Sequence, residues 1–406
     1  MSLEKIINGI KKAACINLAT IALASGSAKA TDECEIIRLS YFRIGTEGLA
    51  TYVTSVYNIN NQGEVAGCTF YIPTTEEPYR KPFLYNLCNE RIFSEFRNIP
   101  ENFFGYAKAI SNSPERGRNM RFVILEEQYE DYYGYPNYLK SYIADITYIS
   151  NCFPPFIFDS FAFPLEFKAQ DINSRGEVVG ENYARIHRQT INLCPDSNNC
   201  EAYGINDDSM IVGCSRDNSF LGQPVFWELD EKGDYKEIQL PVPEPWVGGC
   251  ALDINKKRQI IGYLLGDCGR PGCKEFPFLW DGESVIDLSP LTKVYSINNL
   301  RQIVGTIGGN KAGLWQDGIV IDLNEFIPQD SNKPSDWDYL YEAISINDSG
   351  QIIGHGYLNY DKGTGRWRMP YPFLMNKKDL EGDLNKDGIV NLKDLAELAE
   401  HWLEER

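Results

Sequence analysis

Ile59-Asn60-Asn61-Gln62-Gly63-Glu64-Val65-Ala66-Gly67 reads as the end of one short strand, a turn, and a second apolar run. The phrase returns as Ile172-Asn173-Ser174-Arg175-Gly176-Glu177-Val178-Val179-Gly180. It recurs from Ile205-Asn206 to Gly213, Ile254-Asn255 to Gly262, Ile297-Asn298 to Gly305 and Ile346-Asn347 to Gly354. A degenerate copy stands at Ala109-Ile110-Ser111-Asn112. From Asn173 onward the anchoring asparagines are 33, 49, 43 and 49 residues apart. The 113 residues from Asn60 to Asn173 have room for two units around the degenerate copy.

A second phrase follows most copies at a similar offset. Its versions are Pro82-Phe83-Leu84-Tyr85, Pro224-Val225-Phe226-Trp227, Pro277-Phe278-Leu279-Trp280, Gly313-Leu314-Trp315 and Pro372-Phe373-Leu374-Met375. It often leads to an apolar-Asp-Leu run, as in Val285-Ile286-Asp287-Leu288 and Val320-Ile321-Asp322-Leu323. Each unit therefore predicts four short strands. Asn-x-x-Gly is turn chemistry, since both residue types tolerate left-handed backbone. Helical periodicity is nearly absent from 31 to 376. Four-strand units repeating every 40–50 residues or so signify the blades of an all-β propeller. The stretch 31–376, at roughly 49 residues per unit, makes seven blades. Six is the alternative, should 109–165 be an insert. The coils of a β-helix are usually shorter.

The Ile-Asn-x-x-Gly-x-Ile-Val-Gly phrase with its Phe-Leu-Trp partner resembles the HAF-type extracellular repeats of bacterial exported proteins. The resemblance covers most of the body. It implies export and a propeller-like fold, and it implies no reaction.

The chain's end carries a different signal. In Gly382-Asp383-Leu384-Asn385-Lys386-Asp387-Gly388-Ile389-Val390-Asn391-Leu392-Lys393-Asp394, oxygen side chains fall at positions 1, 3, 5, 9 and 12 of a twelve-residue loop. Gly388 occupies position 6. This is the spacing of an EF-hand calcium loop, because a hard cation takes six to eight oxygens. The expected Ca²⁺ ligands are Asp383, Asn385, Asp387, the carbonyl of Ile389, Asn391 and Asp394. Asp at position 12, neutral Asn385 and Lys386 inside the loop predict modest affinity, suited to extracellular calcium. A short amphipathic helix follows, with Leu392, Leu395, Leu398, Trp402 and Leu403 on its apolar stripe. No helix is predicted before the loop.

This loop-helix, about 25 residues long, resembles one repeat of a type I dockerin, a family in which Asp commonly fills position 12. The resemblance implies extracellular calcium binding and a cohesin-like or cell-surface protein partner. The chain departs from the family in having one repeat where dockerins have two. Leu392-Lys393 also stands where a hydroxyl pair often marks cohesin recognition.

Residues 1–30 read as a secretory signal peptide. Lys5, Lys11 and Lys12 precede an apolar stretch from Ala13 to Ala24, and Ala28-Lys29-Ala30 offers small residues before a cut. No later stretch approaches the roughly 20 apolar residues of a membrane span. The expected organisation is thus 1–30 signal, 31–376 propeller and 377–406 calcium module, in a secreted or cell-surface protein. Of 11 cysteines, ten lie outside the signal. An even count in an exported chain permits disulfides. Cys194…Cys200 and Cys268…Cys273 are spaced for local staples. The formal charge is −18, and about −21 once the signal, with four Lys and one Glu, is removed. Such a surface repels phosphate backbones and argues against nucleic-acid partners.

Catalytic signals are sparse. The chain holds 3 histidines, too few for a multi-histidine metal centre, and no nucleophile-elbow or phosphate-loop motif. Carboxylate chemistry remains open, because two carboxylates about 5–9.5 Å apart suffice for glycoside hydrolysis. Asp171 and Asp253, each two residues before a repeat Asn, are the candidate channel-facing pair. Tyr129 to Phe163 is rich in aromatics that either stack on carbohydrate or pack between blades. Trp227, Trp280 and Trp315 recur at one repeat position and read as core. Two functions follow. One is a non-catalytic exported propeller that presents an interaction surface and is attached through its calcium module. The other is a polysaccharide hydrolase or lyase using channel carboxylates.

Overall fold

The computed structural model describes residues 34–39, 51–71, 79–86, 91–93, 103, 105–113, 120–130, 136–148, 157–195, 199–216, 221–266, 274–308, 310–328, 335–359 and 370–377. The signal segment 1–30, the calcium loop with its helix, and Cys268 and Cys273 lie outside the described residues. The fold is a seven-bladed β-propeller. Each blade is a sheet of four antiparallel strands running in chain order from the channel outward. Blade 1 spans 51–93, blade 2 105–164, blade 3 171–192, blade 4 200–239, blade 5 246–287 and blade 6 291–322. Blade 7 takes three strands from 337–377 and its outermost strand from the other end of the chain. Cys34–Arg38 pairs with Tyr371–Lys377, in register from Cys34↔Lys377 to Arg38↔Phe373. The ring is thereby closed by joining the two ends of the repeat array. Blade 2 contains the degenerate copy, so 109–165 is a blade and the six-blade alternative falls.

The apolar core lies between blades. Seven hydrophobic clusters correspond to the seven junctions. Trp227 is fully buried at the junction of blades 3 and 4, and Trp315 is buried between blades 5 and 6. Trp280, half-buried, stacks on Phe226 with centroids 5.6 Å apart. Within the aromatic stretch of blade 2, Tyr142 packs edge-on against Phe103 at 5.7 Å. Both belong to the cluster that joins blades 1 and 2. Each side chain buried this fully contributes roughly 1.5–3 kcal/mol.

The repeat phrase has a geometric meaning at both ends. Its last glycine faces the inner strand, where a Cβ on Gly180 would stand 2.0 Å from the Lys168 carbonyl oxygen, and one on Gly305 1.9 Å from that of Lys293. No side chain fits there. The inner strand is bulged just before its asparagine, between Val56 and Asn58, Ala251 and Asp253, Val294 and Ser296, and Ala343 and Ser345. A bulge re-aims side chains, and here it turns the residue two before the asparagine into the channel. The first turn position proves different from expectation. Positive φ falls at the fourth residue of Asn-x-x-Gly, not at the asparagine: Gly63 at 70°, Gly176 at 74° and Gly350 at 75°. The asparagines have another task.

Candidate functional site

Around one mouth of the central channel the asparagine amides form a wheel that spans six of the seven blade junctions. The Asn298 side-chain oxygen accepts from the N–H groups of Leu300 (3.0 Å) and Gln302 (2.9 Å), which folds its own turn. Its Nδ2 donates to Gln302 Oε1 at 2.7 Å and to the Asn347 carbonyl of the next blade at 2.9 Å. The same interblade bond runs from Asn173 to Asn206, Asn206 to Asn255, Asn255 to Asn298, Asn347 to Asn60 and Asn60 to Ser111, all within 2.9–3.1 Å. A second tier sits one residue further along the chain. Asn61 N donates to Asn112 Oδ1, Ser174 N to Asp207, Lys256 N to Asn299, Asn299 N to Asp348, and Asp348 N to Asn61, at 2.7–2.9 Å.

These tiers border a polar cavity of about 140 Å³, into which Asn58, Asp171, Asp253, Ser296 and Ser345 also project. The two aspartates expected to face the channel therefore do so. Each uses both of its oxygens. Asp171 accepts from its neighbour Ile172 N at 2.8 Å and from Ile205 N of blade 4 at 2.9 Å. Asp253 repeats the arrangement with Ile254 N at 2.7 Å and Ile297 N of blade 6 at 2.9 Å. Burial and the nearby Asp253 charge push the Asp171 carboxyl up to about 7. Burial pushes Asp253 up to about 6, against the backbone donors that favour its charge. At the rim, burial disfavours charge on Asp207 too. Hydrogen bonds from Ser174 and the Lys256 ammonium, 2.9 Å away, outweigh it and hold Asp207 below the usual carboxylate range. Such an arrangement can bind a small polar guest through ring amides and carboxylates. It can also stand as a stapled hub. Among the described residues, no group of three or more His, Cys, Asp or Glu side chains is placed to hold a metal ion.

Further down the inner strands the wall changes to tyrosines and carboxylates. Tyr57 and Tyr106 rings meet at 4.7 Å across blades 1 and 2. The Tyr203 hydroxyl donates to Glu201. Glu342 takes a hydrogen bond from His355 Nδ1 at 3.0 Å, while His355 Nε2 accepts from Val56 N of blade 1 at 3.4 Å. This tautomer joins blade 7 to blade 1. Burial opposes charge on Glu342, but His355, Tyr341 and Lys293 together hold its pKa below the ordinary value. Burial followed by neighbouring carboxylate charge pushes Tyr295 up to about 12, and burial above all raises Tyr203 and Tyr341 further.

The repeat pattern located Asp171 and Asp253. It did not single out the tyrosine tier, although Tyr57, Tyr203 and Tyr295 each stand three residues before a repeat asparagine and could have been found by that spacing. Cys194 and Cys200 form the expected local disulfide, with Cα atoms 6.4 Å apart. The six expected calcium ligands, Asp383 to Asp394, lie outside the described residues. No helix among the described residues is long and apolar enough to cross a membrane.

No protein-family model matches the chain, and no curated protein matches it. Solved structures do. The chain is similar to the β-propeller domain of the Trilobed protease from Pyrococcus furiosus, at 10% identity and TM-score 0.50, covering 81% of this chain and 95% of that one. That domain is described as having an open velcro topology, whereas here Cys34–Arg38 closes blade 7. Trypanosoma rangeli sialidase matches with TM-score 0.37 and 8% identity over 92% of this chain, which spans 62% of the sialidase. At 10% identity the likeness to the protease's propeller domain is one of fold.

Proposed function

We propose that the protein is an exported, non-catalytic propeller that presents an interaction surface and is attached through a calcium-binding loop-helix at its C-terminal end. The observation that supports this reading is the use made of the channel carboxylates. Asp171 and Asp253 spend both oxygens on backbone N–H groups, one in their own blade and one in the next. That is the behaviour of a staple. The attachment module rests on the sequence of its loop. Ca²⁺ is held by Asp383, Asn385, Asp387, Ile389, Asn391 and Asp394, and the partner is a cohesin-like or other cell-surface protein. Calorimetry of the full chain tests the module. Calcium heat is expected from the wild type and not from an Asp383→Ala/Asp387→Ala variant. Equal heats from the two proteins, or none from either, would remove the calcium site.

A second reading has one observation in its favour. Asp171 and Asp253 share a cavity, and burial, with the charge of Asp253 adding to it, raises the Asp171 carboxyl to about 7. Carboxyls separated in acidity are what hydrolysis of polysaccharide requires. A polysaccharide depolymerisation screen of wild type beside Asp171→Asn and Asp253→Asn decides between the readings. Activity lost in both variants favours the enzyme. Absence of activity, or activity that both variants retain, removes this pair from catalysis.

A further inference from the structure

Blades 4 and 5 bring together two thiols that the proposed function does not use. Cys214 lies on Ile211–Ser215 of blade 4 and Cys250 on Trp246–Ile254 of blade 5. Both are buried and neither is in a disulfide. The two thiols face each other across the junction, within reach of a side-chain hydrogen bond. The backbones approach closely beside them, with Gly249 N donating to Gly222 O at 3.1 Å. Gly222 is itself close to Cys214, and a Cβ built on it would lie 3.5 Å from the Cys214 Cβ.

The surroundings divide the labour between the two sulfurs. The hydrogen bond from Cys214 holds the Cys250 thiol below its ordinary range against the effect of burial, with help from the Tyr263 hydroxyl and the Arg216 charge. Donating that bond, together with burial, pushes Cys214 up. Glu201, cross-strand partner of Cys214 and ion-paired to Arg216 at 3.3 Å, opposes charge on both thiols. A thiolate is the attacking species in disulfide exchange, so Cys250 is the nucleophile and Cys214 resolves.

We propose that Cys214 and Cys250 are an oxidation site whose product is a disulfide stapling blade 4 to blade 5. With glutathione disulfide as the oxidant, admitted by local opening of the junction between blades 4 and 5, the Cys250 thiolate attacks one of its sulfurs and a glutathione thiolate leaves. Cys214 then loses its proton, and its sulfur attacks Cys250 in the mixed disulfide and expels the second glutathione thiolate. Two protein thiols are oxidised, one small disulfide is reduced to two thiols, and the two protons end on glutathione. A disulfide needs Cα atoms within about 7 Å, a separation that two thiols facing each other on strands of packed neighbouring blades can reach with small movement. The inference is independent of what the channel binds.

The test uses the reduced full chain, equilibrated in glutathione buffers of rising disulfide content, trapped by alkylation, digested and mapped by mass spectrometry. The expected result is a linked Cys214–Cys250 peptide, with alkylation of both cysteines falling together at least tenfold. Cys68, buried with its sulfur 4.0 Å from the Tyr57 hydroxyl, is expected to stay alkylated after denaturation. The oxidised protein should melt several degrees higher, and that part of the gain should vanish in Cys214→Ser and in Cys250→Ser. Full alkylation of both cysteines under conditions where Cys194–Cys200 closes would overturn the proposal. So would linkage of either one to a different cysteine. The wild-type map decides the matter even if the serine variants fold poorly.

Discussion

Six blade junctions are closed at the channel mouth by an asparagine side chain, and the junction from blade 2 to blade 3 is closed by a lysine. In blade 2 the position of the asparagine is taken by Ser111. Its hydroxyl accepts from Phe122 N at 3.0 Å and reaches only Asn112 O. The work passes to Lys108. Its ammonium donates to the Ala169 carbonyl at 3.0 Å and to Gln170 Oε1 at 2.6 Å, both on the approach to blade 3. It also pairs with the fully buried Glu126 at 3.2 Å, and Lys168 stands 3.6 Å from the same carboxylate. Burial lowers the Lys108 pKa, and the Glu126 charge opposes that lowering. Four of the asparagine junctions use only neutral partners, whereas Asn60 and Asn173 donate to the buried carboxylates of Glu64 and Glu177. The ionic one depends on charges that are dangerous when separated.

Removing one member of each kind of junction tests this difference. Lys108→Met leaves Glu126 buried with the Tyr106 hydroxyl and, as counter-charge, only the more distant Lys168, so a loss of about 3–5 kcal/mol in unfolding free energy is expected by denaturant titration. Lys108→Met/Glu126→Gln should recover more than half of that loss, because the uncompensated charge is gone. Asn298→Ala removes four hydrogen bonds but no charge. It should cost about 2–3 kcal/mol. An Asn298→Ala loss larger than that of Lys108→Met would reverse the ranking of the two junction types.

Blades 3 and 5 offer a finer contrast with blades 6 and 7. At the position two before the asparagine the former carry Asp171 and Asp253, the latter Ser296 and Ser345. Both aspartates titrate above the unfolded value of 3.8. The folded state therefore binds more protons, and stability is greatest below about pH 4 on account of these groups. It is lost as pH rises through about 6 and about 7, the folded values. With each tenfold change in acidity worth about 1.4 kcal/mol, the loss between about pH 4 and 7 is on the order of several kcal/mol. Asp253→Asn should flatten the slope between pH 4 and 7 while leaving stability at pH 7 within about 1 kcal/mol. Asn58 of blade 1 is nature's version of that change, accepting from Ile110 N at 3.2 Å. A slope unchanged in the variant would mean that other groups set the pH dependence.

Much of the fold was legible because one local device is repeated. The turn, the β-branched run and the closing glycine each recur at fixed offsets, and their period alone implied blades. The two channel aspartates were legible for the same reason, being in phase with the repeat. The closing strand Cys34–Arg38 was not. Its pairing joins the chain's extremes and no repeat phrase marks it. The asparagine's role was misread as tolerance for left-handed backbone, because its amide contacts a neighbouring blade that lies up to 51 residues ahead or, at ring closure, 287 residues back. Lys108 was invisible too, since a lysine in a strand says nothing about burial until the sheet behind it is in place.

The smallest effect concerns the turn that every asparagine organises. Its fourth residue sits in left-handed conformation in all six intact copies, and three of them lack glycine there. Ser209 has φ 59°, Arg258 62° and Arg301 65°. For an L-residue with a Cβ that backbone costs about 1 kcal/mol, and glycine regains less than the full amount because it also loosens the unfolded chain. Arg258 is the cleanest place to measure the balance. Its guanidinium pairs with Glu228 at the surface, with side chains 54% and 36% exposed, and an exposed pair is worth little. Arg258→Gly is therefore expected to raise stability by about 0.5 kcal/mol, read as a small increase in denaturation midpoint at unchanged slope. Gly350→Ala, at φ 75° in an otherwise equivalent turn, should move the midpoint the other way by about 1 kcal/mol. If both substitutions shifted it in the same direction, backbone strain would not be what distinguishes the glycine turns from the arginine turns, and the side-chain contacts of the arginines would have to carry the difference.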